Sequence, residues 1–200
     1  SVPGVAPVGA SDVEKAAFLA AERDYLNKGL TGRLTDYLDR FPQGASRPTA
    51  LGYAVTANAT AGNHEATIGY ADELIENYPD NAAVPAALKA KAAALAGQGK
   101  GELALAAYEQ LATTASTPDM LNEAQLGIMR TARDLGQYDR VIEAAGAITA
   151  SSTPTGEQRS EAAFNHADAL YNTGDTEGAI AGWTDLSADL NDIYGTKALF

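Results

Sequence analysis

Apolar residues return at helical spacing along most of this chain, and they do so in pairs of runs. Ala17, Phe18, Ala21 and Tyr25 form one such run, and Ala87, Leu88, Ala92 and Leu95 another. Their 3.6-residue recurrence is that of an amphipathic helix. A second kind of run reads Ala104, Leu105, Tyr108, Leu111, then Val141, Ile142, Ala145, Ile148, then Ala179, Ile180, Trp183, Leu186. β-Branched residues nowhere alternate over five or more positions, so strands are not expected. Between the two runs stands a glycine: Gly29, Gly62, Gly99, Gly136 and Gly174, the last four spaced 37, 37 and 38 residues apart. Twelve residues before each is an alanine (Ala17, Ala50, Ala87, Ala124, Ala162). Twelve residues after each is a large apolar residue (Phe41, Leu74, Leu111, Ile148, Leu186). A period of this length marks stacked two-helix units that share their cores with neighbours.

The punctuation agrees. The glycine suits the left-handed conformation that ends a helix. Prolines fall between units, at Pro42 with Pro48, Pro79 with Pro85, Pro118 and Pro154, where they cannot interrupt a helix. Ser11 to Glu14 and Thr155 to Gln158 have capping-box form, and Asp175 is placed to cap the helix after Gly174. The predicted fold is all-α: a right-handed superhelical solenoid of about five antiparallel helix hairpins, at residues 11–42, 46–79, 83–116, 119–150 and 156–191. The alanines allow close helix approach, and the large residues fill the space between units. Residues 1–10, SVPGVAPVGA, read as a flexible tail, and residues 11–200 as one repeat domain. Tyr194 to Phe200 match the opening of a sixth first helix, with Ala198 in the alanine slot. Apolar Leu199 and Phe200 at the end lead us to expect that the natural protein continues.

The segment Ala162 to Trp183 resembles a tetratricopeptide repeat. It has a small residue at Ala167, apolar and aromatic residues at Leu170 and Tyr171, the helix-ending Gly174, then Ala179 and Trp183. Ala92, Leu95, Gly99, Ala104 and Tyr108 fit the same pattern. Residues Ala71 to Asn81 are similar to repeats common in bacterial cell-envelope proteins, which suggests a periplasmic or envelope location. The resemblance spans residues 11–200. It departs in its period, longer than the family's 34, and in Met129 and Glu22, which take the small-residue slot in the fourth and first units. Sel1-type repeats share the longer period, but their glycine-rich turn signature is missing.

Composition narrows the chemistry. Fourteen basic against 26 acidic residues give a net charge of −12, unsuited to phosphate backbones or anionic lipid. There is no cysteine, hence no disulfide or thiolate metal site. No apolar run reaches the ~20 residues of a membrane span. His64 and His166 lie about a hundred residues apart and read as surface and helix residues rather than ligands. Asp72, Glu73 and Glu76 read as a solvated face of a second helix. Gly97-Gln98-Gly99-Lys100-Gly101 is a turn without the strand and spacing of a phosphate loop. Trp183 sits in a packing slot. No cofactor or metal is implied.

The resemblance implies a concave surface built from first helices. The residues it would present are Arg23, Asn27, Tyr53, Thr56, Lys89, Arg130, Asn165, Asp168 and Asn172. Such a surface suits an extended peptide or a helix. Ala20, Ala90 and Ala93 occupy slots where some family members carry a carboxylate clamp, so a complete clamp is not expected. The function expected is a non-enzymatic scaffold for a protein or peptide partner, with no nucleic acid and no membrane insertion. The alternatives are an accessory domain of a larger enzyme or secretion assembly, and an α-helical hydrolase, which would need carboxylates converging in a deep pocket.

Overall fold

The computed structural model describes residues 11–188 and 193–198. The tail at residues 1–10 and the terminal pair Leu199 and Phe200 lie outside the described residues. Among those described are eleven helices: α1 Asp12–Lys28, α2 Gly32–Arg40, α3 Arg47–Thr60, α4 His64–Asn77, α5 Val84–Gly97, α6 Gly101–Thr114, α7 Pro118–Asp134, α8 Tyr138–Ala150, α9 Gly156–Thr173, α10 Thr176–Ser187 and α11 Ile193–Lys197. The first ten form the five expected hairpins, with limits within two residues except the end of the fifth, expected at 191, which lies outside the described residues.

The phase glycines break the chain where the period requires it. Gly29, Gly62, Gly99, Gly136 and Gly174 have φ between 66° and 97°, and no non-glycine among the described residues has positive φ. Gly174, at φ 97°, ends α9 while Asp175 turns back to accept the Gly178 N–H at 3.0 Å, opening α10. At α9 the capping box is complete, with Thr155 and Gln158 bonding each other's backbone N–H groups. At α1 only half of it forms: Ser11 caps the Glu14 N–H, while the Glu14 side chain bonds Tyr37 and Ala45.

The chain forms two compact units, Ser1–Gln98 and Gly99–Phe200. In the first, each of α2 to α5 packs on the helix before it, and first helices α1, α3 and α5 lie side by side. Its core holds Phe18, Leu34, Tyr37, Leu51, Val55, Leu74 and Leu88. In the second unit α6 to α11 pack in the same order, with α7 beside α9 and α9 beside α11. There the core is Leu105, Leu126, Met129, Val141, Ile148 and Ala162, flanked by Tyr108 and Leu135.

The alanine slot is tight where a second helix precedes it. Ala50, Ala87, Ala124 and Ala162 are at most 1% exposed, whereas Ala17 is only half-buried. The large slot behaves alike: Leu74, Leu111 and Ile148 are buried, Phe41 and Leu186 half-buried. Met129 fills its small-residue slot fully buried; Glu22 keeps its slot half-buried.

Two polar features differ from the sequence reading. Asp72 and Glu73 are not a solvated face. Asp72 pairs with Lys91 of α5 at 2.5 Å, and Glu73 with Arg47 of α3 at 2.5 Å, so they tie α4 to both neighbours. Glu14, read only as part of a cap, is buried at 7% exposure. One of its oxygens accepts from the Tyr37 hydroxyl at 2.9 Å and from the Ala45 N–H at 2.7 Å, while the Ser46 N–H donates to the Tyr37 oxygen at 3.2 Å. Burial and this neighbouring carboxylate push the Tyr37 pKa up to about 12. Gly44 lies so close that an added Cβ would collide with both side chains.

Candidate protein-binding surface

In the first unit the sequence-predicted residues sit on α1, α3 and α5. Arg23 is exposed and reaches Asp24 at 3.9 Å, and Asn27 is exposed one turn further along. Tyr53 on α3 is half-buried. Its hydroxyl donates to Glu22 at 2.9 Å, and its ring lies 5.1 Å from that of Tyr25. Burial raises its pKa, and the hydrogen bond to the Glu22 carboxylate adds to the shift. Thr56 is exposed and donates to the Gly52 carbonyl at 3.0 Å; Lys89 is exposed on α5. A two-tyrosine pair thus bridges α1 and α3, and Leu19 and Leu26 of α1 are exposed.

The second unit builds its face from α7 and α9. Arg130 donates twice to Glu161, from Nε and Nη2, both at 2.6 Å. That bidentate bond raises the Arg130 pKa against the opposing effect of partial burial. Three residues on, Arg133 donates to Asn165 Oδ1 at 2.9 Å. Asn165 is 2% exposed and also donates to the Glu161 carbonyl at 2.8 Å, so it braces the surface from beneath rather than lining it. Asp168 is half-buried, and its carbonyl accepts from exposed Asn172 at 2.8 Å. Tyr194 of α11 stacks on Phe164 of α9 at 5.9 Å. Burial and the Glu161 charge raise its pKa.

Three cavities of about 420, 340 and 440 Å³ lie at helix ends and between helices, and each is lined by one carboxylate, Asp139, Asp36 and Glu65 respectively. Among the described residues no group of three or more His, Cys, Asp or Glu side chains is placed to hold a metal, and no helix is long and apolar enough to cross a membrane.

Among solved structures, one described as a MamA RS-1 ArsTM double mutant is similar over 88% of this chain and 93% of its own, with a TM-score of 0.62 at 18% identity. A thermophilic TPR protein in Thermus thermophilus aligns over 94% of this chain and 100% of its own, with a TM-score of 0.49 at 16% identity. No family model and no curated protein matches the sequence. The hairpin order and the first of these likenesses agree. The chain has a tetratricopeptide-like all-α repeat fold.

In this tetratricopeptide-like setting, sequence reading missed the partners that hold the surface: Glu22, Tyr25, Arg133 and Glu161. A signal for them exists. Glu22 and Tyr53 are 31 residues apart, as are Arg130 and Glu161, while Arg133 and Asn165 are 32 apart. That step carries one first helix to the next, so complementary polar residues at this separation mark side chains paired across repeats.

Proposed function

We propose that the chain is a non-enzymatic repeat scaffold that binds a protein or peptide partner on its first-helix faces. One observation carries this reading: Arg130 is locked by two hydrogen bonds to a carboxylate that is itself 9% exposed, yet 54% of the Arg130 side chain remains accessible. A guanidinium fixed in this way presents its remaining N–H donors to a partner at reduced entropic cost. The Tyr53 platform offers the aromatic counterpart in the first unit, held by Glu22. Tyr and Arg are the side chains that most often dominate binding energy at protein interfaces.

The test is site-specific photocrosslinking in the source cell. Photoreactive residues placed at Arg23, Thr56, Arg130 and Asn172 should trap a common partner. The same residue at Glu143 or Ala147, exposed on second helix α8, should not. Equal trapping from both sets, or none from the first, removes the proposal.

A further inference from the structure

We propose that Glu22, Tyr25 and Tyr53 form a receptor for an arginine side chain of the partner polypeptide, which deepens the binding reading above and rests on it. Carboxylates of the first unit otherwise keep a cation beside them. Among its described residues four are half-buried: Glu22, Asp24, Asp72 and Glu73. Asp24 pairs with Arg33 at 2.9 Å, Asp72 with Lys91 at 2.5 Å and Glu73 with Arg47 at 2.5 Å. Glu22 pairs with no lysine or arginine among the described residues, and neighbouring Arg23 reaches Asp24 instead. What Glu22 does bind is the Tyr53 hydroxyl, which donates to its Oε1 at 2.9 Å. Glu14 also has no cation, but it is buried out of a partner's reach and holds two donors. A half-buried carboxylate with one neutral donor is under-compensated for the water it has lost.

The second unit shows which group completes such a set. There Arg130 donates Nε and Nη2 to Glu161, both at 2.6 Å, and the phenols of Tyr108 and Tyr194 lie close enough to act on its charge. A carboxylate and two tyrosines therefore already surround a guanidinium in this chain. Glu22, Tyr25 and Tyr53 are the same three groups, with the two rings 5.1 Å apart and the carboxylate bonded to one of them. Both tyrosines are half-buried, so part of each side chain remains accessible. Arginine suits the set better than lysine, because its plane stacks on a tyrosine ring while an edge N–H meets the carboxylate. The net charge of −12 favours the approach of a cation to the chain.

The probe is N-acetylarginine amide, titrated into the ¹⁵N-labelled full chain beside N-acetylnorleucine amide as the uncharged control. Amides of Glu22, Tyr25 and Tyr53 should move saturably with the arginine compound at millimolar concentration and stay still with the control. Glu22→Gln still accepts from Tyr53 but carries no charge, and should weaken binding by about tenfold. Tyr25→Leu removes one ring and should weaken it by about threefold. Absence of saturable movement in the parent chain overturns the proposal, whatever the variants do. So does equal movement with the norleucine compound, or unchanged affinity in Glu22→Gln. Tighter binding of free arginine than of the blocked form overturns it too, since the site would then take an amino acid rather than a partner's side chain. A partner crosslinked from Arg130 or Asn172 without any arginine effect here removes this assignment and leaves the scaffold reading in place.

Discussion

The first and fourth hairpins share one skeleton and hold it in opposite ways. In the first, a charged group sits inside: Glu14 gathers the Tyr37 hydroxyl and the Ala45 N–H, while Glu22 takes the small-residue slot and bonds Tyr53. In the fourth, apolar interlocking does that work. Met129 fills the slot with no exposure, and the Tyr108 ring lies on the bare backbone of Gly127. The first hairpin has no second helix before it among the described residues, whereas α6 covers the fourth. A helix covered on several sides can bury methionine and an aromatic ring. In the first hairpin the buried Glu14 carboxylate is stable only because hydrogen bonds compensate its desolvation.

Removing that compensation is the strongest way to break the contrast. Glu14→Ala leaves the Ala45 N–H and the Tyr37 hydroxyl without their acceptor. It is expected to cost about 3 kcal/mol in chemical denaturation, with Glu14→Gln at about half that, since the amide oxygen still accepts. Equal costs for the two variants would mean that cavity volume, not hydrogen bonding, sets the effect.

Gly127→Ala should cost about 2 kcal/mol, as overpacking against Tyr108 outweighs the helix-propensity gain. Tyr108→Leu in the same chain should recover at least half. Without that recovery, the Tyr108–Gly127 contact does not govern packing in this hairpin. The corresponding change in the first hairpin, Ala20→Gly, should cost no more than about 1 kcal/mol, the ordinary propensity penalty.

The smallest effect concerns pH. Folding raises the Tyr37 pKa to about 12, so the folded chain retains this proton after the unfolded chain begins to lose it near 10. Stability from this residue is therefore complete below pH 10 and declines as pH rises towards 12. Melting temperature should fall over that window, and fall less in Tyr37→Phe; identical slopes would assign the alkaline loss to other groups.

Much of this molecule was legible as periodicity. The five glycines with positive φ, the hairpin limits and the buried alanines from Ala50 to Ala162 all follow from local rules: apolar spacing sets helix faces, and a residue that must turn left-handed is glycine. The surface was legible in part. Arg130 and Tyr53 stand out by type and phase, but their significance depends on Glu161 and Glu22, each 31 residues away. Asn165 shares the surface phase by sequence and is nonetheless buried, because Arg133 and the Glu161 carbonyl claim its amide.

The chain's own residue pattern therefore determined which segments are helices, where they turn and which side each buries, since those choices are made within about a dozen neighbouring residues. Tertiary packing alone decided that Glu14 lies inside, that Asp72 and Glu73 bind adjacent helices, and that Ala17 stays half-buried while Ala50, Ala87, Ala124 and Ala162 are covered. Burial and ionic pairing depend on what another helix brings to the contact, and that information lies some twenty to thirty residues away in the chain.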